Sequence, residues 1–459
     1  MSPHPIDTLL PGFTALDPTA KIAAVERLTT AARAHPSGIF VCMPFVTSDG
    51  LRPMQEADFG AMDRPADNWG HRLKSPVDFF NNENSITTSG SHLAAQSIRY
   101  QVTGDPAALT AARVAYRSLR CVFEFGVQAG QPGFLGKPFH FEPSVHTTGD
   151  QYLHALWGWW TFYPVASADE QREIRAMIAA AADYQIAVDY MIFHRSGGDW
   201  SYRLDPTDYN AIMAALVAAA YKLTGESKYR DAYRFVVETG RWMHERRLDG
   251  IVREFRAGTY QAKPWDHIAG ADVAAGEFAH WEQIQHCQFA TISASIIHEC
   301  VPDLFTGEDL RRVLALWWSD HAMGYDPEFR GYLYWFLVAT KDMSWRRIAR
   351  TPRLPREQWL GGHPMLSYAA EWIYGDCLAR FMWTALLVAR HCPTQRDEAA
   401  GYAADMLRAL EPRHLLWVAD PDGKQVPPEL NYFTLFLSSE VPECLIASYW
   451  EGRRLGLWA

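Results

Sequence analysis

Two kinds of helical segment share this chain, and few architectures can bury both. One kind carries an apolar stripe. Leu109, Ala112, Tyr116 and Leu119 recur at three- and four-residue spacing, as do Ile212, Leu216, Ala219 and Leu223, and again Tyr229, Ala232, Tyr233 and Val236. The other kind is apolar nearly all round: YLHALWGWWTFYPV (152–165), FATISASIIH (289–298) and LARFMWTALLVA (378–389). A one-sided stripe predicts a helix with one solvated face, whereas an all-round apolar helix must be enclosed on every side. Two concentric layers of helices meet both demands. Strand-like alternation between turn signals is scarce, and no βαβ rhythm is present.

An internal repeat strengthens the hairpin reading. YQVTGDPAALTAARVAY (100–116) resembles YKLTGESKYRDAYRFVV (221–237), at an offset of 121 residues. In each, glycine ends one helix by tolerating a left-handed turn, and the acidic or small polar residues after it start the next. The patterning predicts helix pairs near 87–102 with 105–126, 148–164 with 168–194, 207–223 with 226–246, 279–299 with 306–322, 326–341 with 366–391, and 396–411 with 431–450. Six hairpins closing on themselves make an all-α (α/α)6 toroid. We expect one domain over 1–459, with 1–80 as an N-terminal helix and loop segment packed on it. The connections 247–278 and 342–365 are too long for tight turns and predict rim loops.

The Tyr-x-[Leu/Val]-Thr-Gly-[Asp/Glu] turn resembles that of the six-hairpin glycosidases, which include unsaturated glucuronyl hydrolases, rhamnogalacturonyl hydrolases and related (α/α)6 hydrolases and lyases. HTTGDQYLHALWGWW (146–160) is similar to that superfamily's habit of placing an aspartate at the mouth of an inner helix, with Gly-Trp a turn or two later. The resemblance implies sugar chemistry in a central funnel, with inversion favoured over retention.

Composition narrows the partners. The formal net charge is −10, so duplex nucleic acid and anionic membrane surfaces are poor fits. No run of eighteen apolar residues predicts a membrane span. The seven cysteines are scattered without a Cys-x-x-Cys pair, and the opening residues lack a signal-peptide pattern. Both features predict reduced thiols and a cytoplasmic setting. With no P-loop, dinucleotide fingerprint or Gly-x-Ser-x-Gly elbow, we expect no nucleotide or serine-hydrolase mechanism. No cofactor and no metal are expected.

Glycoside hydrolysis needs two carboxyl groups across the scissile bond. Asp150 opens an apolar helix among His146, Gln151 and His154 and is the first candidate, although a first-turn acid also serves the helix dipole. GGDWSYRLDPTDYNA (197–211) supplies the second carboxylate, Asp205 or Asp208, with Trp200 and Tyr202 as stacking platforms and Arg203 as an anion or hydroxyl clamp. Glu83, in FFNNENSITTSGSHLA (79–94), is either part of a capping loop or a further acid or base above a floor of hydrogen-bonding groups. Trp265, His267, Trp281 and His286 read as sugar-contacting groups or satisfied buried polars. Glu282 and His286 share a helix face, but His-Glu-x-x-His is absent and no third ligand is evident. Arg346 belongs to an arginine cluster (344–359) that is either solvated or selective for a uronate carboxylate, and His363 is a rim candidate. The expected function is hydrolysis of an oligosaccharide, a uronic-acid-containing one among the candidates. The alternatives are a β-eliminating lyase, a histidine-dependent epimerase and a non-catalytic sugar-binding toroid.

Overall fold

The computed structural model describes residues 4–59, 76–194, 200–204, 207–239, 247–281, 284–326, 331–332, 335–347, 374–417 and 434–458. Among these residues twelve helices build the frame: α1 Pro18–Arg33, α2 Ser85–Thr103, α3 Pro106–Gln128, α4 Gly149–Phe162, α5 Ala168–Ala187, α6 Thr207–Thr224, α7 Ser227–Thr239, α8 Ile284–Cys300, α9 Gly307–Gly324, α10 Tyr374–His391, α11 Arg396–Ala409 and α12 Val441–Arg454. The even-numbered helices form a closed inner ring. Each packs on the next, from α2 through α4, α6, α8 and α10 to α12, which returns to α2. The odd-numbered helices lie outside it: α3 on α2, α5 and α7 on α6, α9 on α8 and α10, α11 on α10, and α1 on α12. The chain is an all-α (α/α)6 toroid.

Local chemistry explains where the helices begin and end. Pro18 opens α1 behind Asp17, whose Oδ1 accepts from the Ala20 amide at 2.9 Å. Pro106 opens α3 in the same way behind Asp105. A reciprocal Ser167–Glu170 capping box starts α5. The two halves of the sequence repeat adopt one geometry. Gly104 and Gly225 sit at φ +67° and +75°, and each amide donates to the tyrosine carbonyl four residues back at 2.8 Å. Thr103 and Thr224 Oγ1 each donate back to the carbonyl four residues earlier, both at 2.8 Å. Glycine is required there because a Cβ disfavours this left-handed conformation.

Packing in the inner ring is tight enough to depend on missing side chains. A Cβ on Gly90 of α2 would lie 2.0 Å from the His154 carbonyl oxygen on α4. Gly158 faces Gly90 in turn, with a Cβ there 2.7 Å from the Gly90 carbonyl. On α6, Ala211 to Ala220 are all buried. The stripe predicted for this helix therefore understated its enclosure, because alanines on its other faces also pack.

Ring closure differs from the predicted pairing. The region 326–341 is not helical where described. It carries Tyr325–Asp326 paired with Gly331–Tyr332, followed by the strand Trp335–Ala339, which lies between Glu277–Trp281 and Trp345–Arg347 in an antiparallel three-stranded sheet. Met191–His194 also forms a strand rather than the end of a helix, and pairs with Trp200–Arg203. The hairpin partner of α10 is accordingly α11. The partner of α12 is α1, so a helix of the N-terminal segment stands in the outer ring.

The contacts between α1 and α12 run antiparallel. Tyr449 Oη donates to Thr19 at 2.9 Å, and Trp450 Nε1 donates to Glu26 at 2.8 Å. At the other end Arg33 grips Glu443 through two parallel bonds of 2.9 and 3.0 Å, with both side chains buried. Burial alone would raise the Glu443 carboxyl, but the Arg33 guanidinium, with His92 behind it, holds it below the usual carboxylate range. A continuous apolar core runs from Ile6 to Trp450.

Candidate functional site

The two ends of the toroid are unequal. Inner helices hand over to outer ones through short turns such as Thr103–Asp105 and Thr224–Glu226. Every return from an outer to an inner helix is longer. The long connections therefore gather at the N-terminal ends of the inner helices. Backbone N–H groups there lack helical partners, so that end favours negative charge. Asp150, Asp208 and Glu443 stand in first turns of α4, α6 and α12, while Glu83 and Glu440 immediately precede α2 and α12.

The α4 and α6 starts are held together by a close approach. A Cβ on Gly149 would fall 2.0 Å from the Tyr209 ring, so the ring sits flush against bare backbone. This contact sets the turn bearing Asp150 beside the turn bearing Asp208. Gln151 Nε2 donates to Asp150 Oδ2 at 3.1 Å. Beside the strand Trp200–Arg203, Leu204 adopts φ +48°, an uncommon conformation for a leucine, at the edge of the acidic 197–211 segment.

Glu83 is buried and paired with Lys137, which is itself buried. Lys137 is placed by its backbone: its amide donates to the His146 carbonyl at 2.7 Å, and its carbonyl accepts from Ser144 Oγ at 2.5 Å. One loop thus links Glu83 to His146 and to the Asp150 turn. Asn84 Nδ2 reaches Ser439 Oγ at 3.2 Å and Thr88 donates to the Ser439 carbonyl at 2.7 Å, tying the α2 and α12 ends together.

Three buried amides at these helix starts have hydrogen-bonding capacity left over. Asn82 Oδ1 and Nδ2, Gln151 Oε1 and Asn210 Oδ1 have no partner among the described residues. Buried polar atoms are ordinarily satisfied, so these amides keep hydrogen-bonding capacity at the inner-helix starts.

Below the mouth, the hollow is floored by side chains that meet across it. The His154 ring stands edge-on to Phe289 at 5.6 Å, and His286 stacks on the same phenylalanine at 6.0 Å. The Arg380 guanidinium lies 5.8 Å from the Phe289 centroid, pairs with Glu440 and donates to Gln288 Oε1 at 2.9 Å. His154 Nδ1 is 2.9 Å from the Asp150 carbonyl oxygen, which can only accept, so Nδ1 carries the proton. Nε2 then presents a lone pair, and it has no partner among the described residues. Burial, reinforced by the Arg380 charge, lowers the His154 imidazole to about 4, leaving it neutral at pH 7. Beneath this layer Trp157 on α4 meets Trp383 on α10, the helix directly opposite in the ring, at 4.9 Å between ring centroids. That pair crosses the axis.

No family model matches the chain, and no curated protein does. Among solved structures, a heparin-specific unsaturated glucuronyl hydrolase aligns with a TM-score of 0.48 at 13% identity, covering 98% of each chain. A D-mannose isomerase gives 0.44 at 12% identity over 95% of this chain and 97% of its own. A cellobiose 2-epimerase from Bacillus thermoamylovorans gives 0.42 at 9% identity over 80% and 87%. All three lie below a TM-score of 0.5, and the architecture stands on the helix packing described above.

The residues singled out in the sequence fall into four groups. Glu83, His146, Asp150, Gln151 and His286 lie at the mouth or on its floor. For Asp208, Trp200, Tyr202, Arg203, Trp265 and Trp281 the backbone is placed: Asp208 in the first α6 turn, Trp200, Tyr202 and Arg203 on one short strand, Trp265 in the helix Pro264–Ala269, and Trp281 at the end of a sheet strand leading to α8. His267 is exposed on Pro264–Ala269, and Arg346 is exposed with Nη2 3.2 Å from Glu277 Oε2. Asp205 and His363 lie outside the described residues, as does Glu282. Sequence reasoning missed Lys137, Gln288, Arg380 and Glu440. The signal for Arg380 was present: a lone arginine inside the otherwise apolar LARFMWTALLVA must find a buried partner. Among the described residues no three His, Cys, Asp or Glu side chains gather as a metal-binding set.

Proposed function

We propose that this protein hydrolyses a glycosidic bond in an oligosaccharide held at the N-terminal mouth of the inner ring, using Asp150 and Asp208 as its acid and base. The observation carrying this reading is the Gly149–Tyr209 contact, which packs the Asp150 and Asp208 turns together beside unspent amide groups. A sugar presents alternating hydroxyl donors and acceptors, and Asn82, Gln151 and Asn210 offer both. One carboxyl protonates the leaving glycosidic oxygen as the C–O bond breaks. The other, ionised, takes a proton from the water that attacks the anomeric carbon. Glu83, paired with Lys137, anchors the loop that carries His146 against the start of α2. The reading takes the whole chain as one catalytic unit and inversion as the stereochemical course.

Aryl glycosides and uronate oligomers, assayed in parallel for new reducing ends and for new C=C absorbance, test the reaction class. Reducing ends without absorbance support hydrolysis, whereas absorbance indicates β-elimination. Asp150→Asn and Asp208→Asn should each lower kcat by about 10²–10⁴-fold. A good aryl leaving group rescues the variant lacking the acid and not the one lacking the base, which assigns the roles. Unchanged activity in both variants overturns the proposal.

One observation favours a second reading. A neutral His154 whose Nε2 has no partner among the described residues is equipped to abstract a proton beside a sugar carbonyl, as an isomerase or epimerase requires. Solvent deuterium entering C2 of a reducing sugar, abolished by His154→Gln, would select it.

A further inference from the structure

The Trp157–Trp383 pair divides the inner ring, and a second hollow lies beyond it. This cavity of about 220 Å³ is lined from α2, α4, α8, α10 and α12, toward the C-terminal ends of those helices and away from the candidate catalytic mouth. This half-open space corresponds to on the order of seven waters. Its walls combine three indoles, Trp157, Trp160 and Trp383, with the aliphatic side chains of Ile292, Ile296 and Leu387. Trp160 is half-buried, and Glu299, Arg390 and Arg454 are exposed at the outer end, so the hollow opens to solvent.

Its polar groups define what fits. Trp160 Nε1 donates to Glu299 Oε2 at 2.8 Å, fixing the indole at the entrance. Gln101 Nε2 donates to the Thr161 carbonyl at 2.9 Å, and Gln101 Oε1 lies 3.4 Å from Arg454 Nη1. Arg390 and Arg454 both engage Glu451, at 3.6 and 2.6 Å. Two guanidinium groups are thus matched by the carboxylates of Glu451 and Glu299, leaving no net charge to select an ion. The partly exposed Trp160 indole, the aliphatic wall, a neutral but polar rim and limited volume suit a ligand whose ring faces are C–H and whose edges are hydroxyl. We propose that this cavity is a second binding site that takes a single neutral pyranose, separate from the catalytic mouth.

The test uses the full-length protein with methyl β-D-glucopyranoside as probe, with D-glucuronate and indole alongside. Saturation-transfer NMR and tryptophan fluorescence report binding in the wild type, in Trp160→Ala, in the cavity-filling Ser295→Phe and in Asp150→Asn. The glucoside should bind saturably, with strongest transfer to its ring C–H protons, and weaken at least tenfold in both cavity variants. Asp150→Asn should bind it as the wild type does, so a catalytically silent protein still reports on this site. Thermal melts establish that the variants are folded, and the two substitutions check each other. Absence of glucoside binding overturns the proposal. So does binding that survives both cavity substitutions but is lost in Asp150→Asn, or a cavity that takes indole or glucuronate in preference to the glucoside.

Discussion

At the residue scale, His154 couples the candidate site to pH. Its native imidazole is lowered to about 4 from the ordinary 6.5, whereas the unfolded chain restores the ordinary value. Between those limits the unfolded state binds more protons than the native one, so stability is full above about pH 6.5 and declines as pH falls toward 4. At pH 5 the loss attributable to this group is about 2 kcal/mol. His391, lowered to about 4 by burial and by Arg390, acts in the same direction. Urea unfolding of the wild type and His154→Gln at pH 8 and pH 5 measures the part owed to His154: the substitution should flatten the pH dependence by about that amount. An unchanged slope would assign the sensitivity elsewhere. Asp150 was readable from its position ahead of an apolar helix. The partnership of Arg380 with Gln288 and Glu440 was not, because three helices distant in sequence must converge before any of the three side chains is explained.

Among the elements, the approach of α2 to α4 depends on Gly90 and Gly158. Gly90→Ala places a methyl group 2.0 Å from a backbone oxygen that cannot rotate away. Separating the two helices should cost about 3 kcal/mol, read as a lower urea midpoint with the m-value unchanged. Gly104→Ala at the opposite end meets no neighbouring atom and is strained only by its φ of +67°, so a loss of about 1 kcal/mol is expected. The paired Thr-Gly-acid turns show why some elements were legible before the fold was known: every bond in them lies within a few residues. The strand Trp335–Ala339 was not legible. A five-residue apolar run gives no period by which to tell strand from buried helix, and its pairing with Glu277–Trp281 spans more than fifty residues.

At the scale of the whole molecule, the ring is completed by its two chain ends. Arg33→Met strands a buried carboxylate at Glu443 and should lower stability by about 3–5 kcal/mol, and Glu443→Leu added to it should recover much of that loss. Denaturant titrations of the single and double variants measure both. The same closure constrains biosynthesis. The first ring helix leaves the ribosome roughly four hundred residues before its partner. At about 5–20 residues per second, α1 must wait about 20 to 80 seconds before the helix that covers its apolar face is made. A translation pause anywhere between the codons for α1 and those for α12 adds its full length to that exposure.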